Sequence, residues 1–236
     1  MKQDQKNISF VIPAYNEAAL IADNTKRLFD YCQKNHIKAE VLICENGSTD
    51  DSKKIIKSLN YPGLRKIFVK EKGLGRAYKA GINASTQPVI YFTGIDFPFG
   101  LSNILDCYKH IPEYDFVFAS KAHPKSIVKS GFKRKVSSGI YRLLLRVILG
   151  LTIHDPQGCT MFKRDKIVRH VNTCDSPDAF FTTQLALYGE KSGLRMLEIP
   201  VDYSHPRAGS KMSITHDGWR MFKQIWAERE RAKNFK

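Results

Sequence analysis

The sequence predicts an α/β fold: a doubly wound, mostly parallel sheet with helices on both faces. Three observations carry this. Short runs rich in apolar, β-branched and aromatic residues alternate with segments of helical periodicity through residues 1–120. The runs are almost continuously apolar, as strands buried on both faces are. They also end in polar or glycine-containing junctions, the first two being Pro13-Ala-Tyr-Asn-Glu17 and Glu45-Asn-Gly-Ser-Thr-Asp50. In an open α/β sheet, ligands bind beyond the carboxyl ends of the strands. Junctions of this kind place a nucleotide-like ligand on the N-terminal half.

In chain order, strands are expected at 8–13, 41–44, 66–69, 89–93 and 116–119. Helical patterns lie between them. Residues 17–34 set Leu20, Ile21, Leu28, Phe29 and Cys32 on one side, and residues 50–59 follow Ser48 and Thr49, both good N-cap types. Helices at 76–84 and 101–110 complete the βαβ alternation. After Ser120 the rhythm changes. Residues 121–131 read as a basic loop and 132–151 as one amphipathic helix. Phe132, Val136, Ile140, Leu143, Val147 and Leu151 form its apolar stripe, while Lys135, Arg142 and Arg146 fall on another face. Such a helix either lies in a membrane interface or packs its stripe on the sheet. A short segment at 158–162, helices at 164–171 and 180–191, a strand-like 196–203 and a last helix at 215–231 follow. No Pro/Gly/Ser-rich linker divides the chain, so one domain spanning 1–236 is expected.

Composition narrows the function classes. A formal net charge of +15 calls for an anionic partner. The basic residues concentrate between Lys121 and Arg146, and no RNP-type motif, zinc finger or repeat is visible. That disfavours nucleic acid and suits anionic lipid or a phosphorylated substrate. Five cysteines without CxxC or Cys/His spacing fit a reducing compartment better than a disulfide scaffold or a zinc site. The seven histidines show no metal-triad spacing. The N-terminal residues are polar, and no apolar run approaches the roughly 20 residues that span a bilayer. A cytoplasmic protein, peripheral on a membrane face, is the expectation.

The opening run Ile8-Ser-Phe-Val-Ile-Pro-Ala-Tyr-Asn-Glu17 and the Glu45-Asn-Gly-Ser-Thr-Asp50 loop together resemble family 2 glycosyltransferases. Further segments are similar to those of dolichyl-phosphate mannose and glucose synthases: Lys72-Gly-Leu-Gly-Arg-Ala77, Ala119-Ser-Lys121, Asp155-Pro-Gln-Gly-Cys-Thr-Met-Phe162 and Gly209-Ser-Lys-Met-Ser213. They occur in order along nearly the whole chain. The resemblance implies a GT-A type fold, with residues 1–120 as the nucleotide-sugar-binding half and 121–236 as the acceptor side. It implies a UDP- or GDP-linked donor held by Pro13, Tyr15, Glu17, Glu45, Asn46, Lys72, Gly73, Gly75, Ile95 and Asp96. It further implies a polyprenyl phosphate acceptor gripped by Lys121, Arg134, Gln157, Ser210 and Lys211, with Asp96, Asp155 and Lys211 as the catalytic set.

The residue chemistry fits these roles. Tyr15 presents a flat face for a base, and Glu17 and Glu45 accept hydrogen bonds. Gly73 and Gly75 permit close backbone approach at a helix N-terminus, which favours phosphate. Polyprenyl phosphate is already an anion, so binding two phosphorylated reactants in line matters more than a general base. Basic side chains then stabilise the departing diphosphate.

Two departures stand out. The fourth strand ends in Gly94-Ile-Asp96, where the family carries Asp-x-Asp and a divalent cation. Only Asp96 remains as a metal ligand, so Mg or Mn is expected to bind weakly, with the help of donor phosphate. Restoring Gly94→Asp is expected to tighten it if the geometry is retained. The second departure is Phe180-Phe-Thr-Thr183, where many relatives are acidic and this chain has only Asp178 nearby. Transfer to a sugar or other hydroxyl, with Asp155 as base, and a non-catalytic relative that binds nucleotide or lipid remain open alternatives. The oligomeric state is not legible.

Overall fold

The computed structural model describes residues 5–129, 131–204, 214–233 and 235, without the side chains at 133, 134 and 214–220. Strands β1 (Lys6–Ala14), β2 (Ile37–Glu45), β3 (Leu64–Phe68), β4 (Val89–Phe92), β5 (Phe116–Ser120), β7 (Thr160–Lys163) and β8 (Met196–Pro200) form one sheet. Its order is β3-β2-β1-β4-β7-β5-β8. All pairings are parallel except those of β7, which runs antiparallel between β4 and β5. The short segment expected at 158–162 is this inserted strand. A two-stranded parallel sheet joins β6 (Ile127–Val128) to β9 (Asp202–Tyr203). The basic loop therefore holds a strand that its charge pattern did not announce. The strand-like run at 196–203 breaks after Pro200, which lacks an N–H for the ladder.

Helices cover both faces. Helices α1 (Ala18–Lys34), α2 (Ser52–Ser58) and α4 (Ser102–Tyr108) bury Ile21, Leu28, Ile56 and Ile104 against Phe10, Ile12 and Tyr91. On the other face, α3 (Leu74–Ala84), α6 (Arg164–Val171), α7 (Phe180–Lys191) and α8 (Ile214–Lys233) bury Ala77, Ile167, Leu185 and Ile225. These side chains meet Val11, Ile90 and Phe92 of the sheet. Alternation along each strand thus feeds two cores.

Helix α5 (Phe132–Leu144) continues into a π-helical turn, Leu145–Leu149. Gly150, with φ +71°, ends it in the left-handed conformation that glycine adopts without penalty. The apolar stripe does not pack on the sheet: Phe132 is 81% exposed, Val136 44%, Ile140 56%, Leu143 60% and Val147 72%. Leu151, expected in the same stripe, lies beyond the helix and is buried. Leu145 and the partly buried Tyr141, Leu144, Ile148 and Leu149 hold the other side of the segment to the core.

Candidate active site

The carboxyl ends of β1, β2 and β4 deliver three loops to one edge. The first two are stitched together. Asn16, in the left-handed region at φ +54°, accepts the Thr49 N–H at 2.8 Å through Oδ1. Its own N–H donates to Ser48 Oγ at 3.1 Å, and the Glu17 N–H donates to Ser52 Oγ at 2.8 Å. Asn is among the few residues that tolerate this conformation, and here loop-to-loop hydrogen bonds compensate it. Pro13 and Ala14 pair in register with Cys44 and Glu45, so both strands end level.

Glu45 is buried, and its Oε1 accepts the Ser48 N–H at 2.5 Å. The carboxylate expected to meet the donor thus also closes its own loop. Asn46 is buried, its N–H donating to the Ala14 carbonyl at 3.1 Å, while its Oδ1 has no partner. A buried acceptor without a donor is uncommon and marks a place for a ligand N–H or a water.

Lys72 reaches this edge from the loop before α3. Its Nζ lies 4.0 Å from the centre of the Tyr15 ring, a cation–π contact. Arg76 fixes that loop by donating to the Lys72 carbonyl at 2.9 Å and pairing with Glu71 at 2.8 Å. Gly73 and Gly75 do permit a close approach, but to the chain itself. A Cβ on Gly73 would sit 2.4 Å from the Pro177 carbonyl oxygen, and one on Gly75 would sit 2.1 Å from that of Ser176. The Gly75 N–H donates to Pro177 O at 3.0 Å. These glycines therefore seat α3 on the 176–178 loop.

After β4 a tight turn places Asp96 in the open, with the Phe97 N–H donating to Gly94 O at 3.1 Å. Ile95 is buried, and its carbonyl accepts Asn24 Nδ2 at 2.9 Å. Ile95 thus anchors the turn to α1.

A pocket of about 180 Å³ adjoins this turn, lined by Gly94, Phe99, Lys121, Gln157, Tyr203 and their neighbours. The Lys121 N–H donates to Asp155 Oδ2 at 2.9 Å, and its Nζ is 3.8 Å from the same oxygen. The ammonium lies 5.9 Å from the Phe99 ring and 5.8 Å from that of Tyr203. Asp155 is held in turn by its N–H to Glu198 Oε1 at 3.0 Å, and His154 Nδ1 meets Glu198 Oε2 at 2.7 Å. Burial opposes the Glu198 charge, but hydrogen bonds from Ser120, His154 and Asp155 outweigh it and hold the carboxyl below its ordinary range. Gln157 Nε2 donates to the Tyr141 hydroxyl of α5 at 3.0 Å, so the exposed-stripe helix touches the pocket from its inner side. Burial pushes the Cys159 thiol on the pocket wall up to about 11, which leaves it protonated and a poor nucleophile.

Of the expected set, the described residues bring Tyr15, Glu45, Asn46 and Lys72 to the first edge. Lys121, Asp155 and Gln157 meet around the pocket. Ser210, Lys211 and the Arg134 side chain lie outside the described residues. Tyr141, Glu198, Phe99 and Tyr203 were not singled out from sequence. Glu198 carried a faint signal, as a lone carboxylate within an otherwise apolar strand.

Among the described residues, no three His, Cys, Asp or Glu side chains are arranged to hold a metal ion. The donor chemistry at Asp96, one exposed carboxylate, fits a divalent cation that arrives with phosphate oxygens and water. It does not fit a closed, all-protein site.

The family model described as Glycosyl transferase family 2 matches residues 9–170. The glycosyltransferase AglD of Haloferax volcanii is 26% identical over 227 residues, covering 92% of this chain and 36% of AglD. An uncharacterized glycosyltransferase of Nostoc sp. is 30% identical over 92 residues, or 38% of this chain and 28% of its own length. The chain therefore spans about a third of the length of these curated relatives. Among solved structures, glucosyl-3-phosphoglycerate synthase from Mycobacterium tuberculosis, in complex with Mn2+, UDP-glucose and phosphoglyceric acid, superimposes with a TM-score of 0.65 at 18% identity. That match covers 98% of this chain and 81% of the other, and it shows a shared fold.

Proposed function

The chain belongs to glycosyl transferase family 2, and from that premise we propose that it moves a sugar from a UDP- or GDP-linked donor to a polyprenyl, dolichyl-type phosphate, with inversion, on the cytoplasmic face of a membrane. The observation that carries the acceptor side is α5. One side of this helix supports Gln157 in the pocket through Tyr141, while the other exposes Phe132, Ile140, Leu143 and Val147. An acyl or prenyl chain laid along that stripe would bring its phosphate to the pocket and to Lys121. Among the described residues no helix is long and apolar enough to cross a membrane. An interfacial helix suits peripheral attachment.

On the donor side, the base would stack at Tyr15 and supply an N–H to the unpartnered Asn46 Oδ1. Lys72 and Asp96 face the diphosphate in this reading, as does any divalent cation that accompanies it. That cation would neutralise the departing diphosphate, with Asp96 as its one protein carboxylate. Lys121 holds the acceptor phosphate. Asp155, already bonded to the Lys121 N–H, orients this lysine. An acceptor oxygen attacks the anomeric carbon as the bond to the diphosphate breaks, and the nucleoside diphosphate leaves with the electron pair. No proton need move. Lys211, Ser210 and Arg134 are further proposed acceptor contacts.

The test is titration calorimetry with UDP, GDP and other nucleotides, followed by transfer of labelled sugar to a short-chain polyprenyl phosphate. Binding plus transfer is expected. Transfer only to hydroxyl acceptors would overturn the lipid assignment. Binding without transfer to any acceptor in a broad panel would make the protein a non-catalytic nucleotide-binding relative.

A further inference from the structure

Gln157 lines the pocket together with Gly94 and Lys121. Its amide is held in one orientation. The Nε2 atom carries two hydrogens. One goes to the Tyr141 hydroxyl at 3.0 Å and the other to the Ala179 carbonyl at 3.4 Å. The carbonyl decides the orientation, because it can only accept. A flipped amide would set oxygen against oxygen there. Tyr141 is fixed in turn by a hydrogen bond between its hydroxyl and Thr183 Oγ1 at 2.9 Å, and Thr183 is buried on α7. Both amide hydrogens are thus spent on the protein. What Gln157 has left for a ligand is Oε1, which only accepts. Among the described residues, none donates to it. Such an atom is a poor partner for a phosphate, whose oxygens also accept, and a good one for a hydroxyl. The rest of the pocket agrees. No carboxylate lines it, so Oε1 is its one side-chain group restricted to accepting. Its volume of about 180 Å³ lies below the roughly 300–1,000 Å³ of a whole-ligand pocket and suits one sugar ring rather than a nucleotide. Phe99 and Tyr203, ring centres 5.8 Å apart at 78°, give the C–H face of such a ring an apolar wall.

We infer that this pocket seats the sugar ring of the donor and that Gln157 is a specificity-determining residue: its Oε1 accepts a hydrogen bond from one sugar hydroxyl. Tyr141 and Ala179 hold the amide in that orientation. This rests on the donor reading above and deepens it. The pocket adjoins the turn at Gly94, where that reading brings the donor diphosphate. Gln157, grouped with the acceptor phosphate from sequence, moves to the donor sugar, while Lys121 keeps the phosphate.

Titration calorimetry on the full chain first ranks UDP- and GDP-linked hexoses against free UDP and GDP. The tightest-binding nucleotide-sugar is then compared with its monodeoxy and monofluoro analogues. At one ring position, removing the hydroxyl should weaken binding roughly tenfold, the cost of leaving an acceptor unpaired. Fluorine there should not restore it, because fluorine cannot donate. In Gln157→Leu the intact nucleotide-sugar should lose about the same factor, and the deoxy analogue should lose nothing further. Gln157→Met, closer in length, repeats the comparison should Gln157→Leu not fold. Affinity for the free nucleoside diphosphate separates the roles: a merely structural Gln157 would lower it together with the sugar affinity and the melting temperature. Four results overturn the inference and leave the donor reading standing. They are equal binding of every analogue by the parent, discrimination that survives in the Gln157 variants, parallel loss of nucleotide and nucleotide-sugar affinity, and a loss confined to KM for polyprenyl phosphate. A parent that binds neither nucleotide nor nucleotide-sugar overturns both.

Discussion

The loops at the ends of β1 and β2 and the helix α5 make opposite use of their surfaces. At the loops, polar groups are spent on one another: Asn16 bonds Thr49 and Ser48, Glu17 bonds Ser52, and Glu45 bonds Ser48. The half-buried Tyr15 ring under Lys72 and the exposed Asp96 lie at the same edge. In α5 and the turn that follows it, the apolar groups of one side, from Phe132 to Val147, stand exposed among the described residues. The first region is ordered before any ligand arrives, so little conformational entropy is left to lose on binding. The second leaves an apolar surface open among the described residues. A substitution in the loops should therefore disturb folding and binding together, whereas a substitution on the stripe should separate them.

The largest expected effect breaks the comparison on the α5 side. Replacing both Leu143 and Val147 by Asp removes two exposed apolar side chains and adds negative charge. If they insert into lipid at about 1.5–3 kcal/mol each, sedimentation with anionic vesicles should weaken a hundredfold or more. The melting temperature should hold, because neither side chain is buried. Vesicle binding equal to the parent would show that the stripe meets something other than a membrane.

Next in size is the outward-facing donor group. Asp96→Asn should lower sugar transfer about 100-fold, the usual loss when one group stabilising developing charge is removed. Stability should be unaltered, since Asp96 is exposed. Coincident loss of stability and activity would place Asp96 among the loop-holding residues.

Glu45 then sharpens the distinction from within the loops. It is buried and holds the Ser48 N–H, so Glu45→Ala should cost about 1–3 kcal/mol of stability and of nucleotide affinity alike. Calorimetry on the same samples reads both. A variant that loses affinity with full stability would mean that Glu45 contacts ligand directly and that its bond to Ser48 is incidental.

The same contrast explains what the sequence made legible. Strands β1, β2, β4 and β5 were readable because burial on both faces leaves nearly unbroken apolar runs. The antiparallel β7 was visible as a segment, but its direction depends on tertiary pairing with β4 and β5. The π-turn that ends α5 early has no period of its own. Candidate residues that sit in loops next to strand ends, such as Tyr15, Asn46 and Asp96, could be picked out one by one. Tyr141 and Glu198 could not, because their hydrogen bonds to Gln157 and Asp155 exist only in the fold. For Gly73 and Gly75 the fold supplies a reason for a small residue that the sequence did not show, the close approach of the carbonyls of residues 176–178.

The smallest expected effect concerns how the pocket is held from behind. Glu198 binds His154 and the Asp155 N–H, and its carboxyl lies below its ordinary value of 4.5 in the folded chain. A carboxyl with a lowered folded value favours the fold when ionised. Its contribution is present in full above the unfolded value and disappears as pH falls from about 4.5 through the folded one. Glu198→Gln keeps the shape and removes the charge. Its melting temperature should therefore lie about 2–4 °C below the parent near neutral pH, and the gap should close as the solution is taken below pH 4.5. Differential scanning calorimetry of both proteins across this range reads the gap directly. A gap that stays constant into acid would mean that the hydrogen-bonding shape of Glu198, and not its charge, holds Asp155 against Lys121.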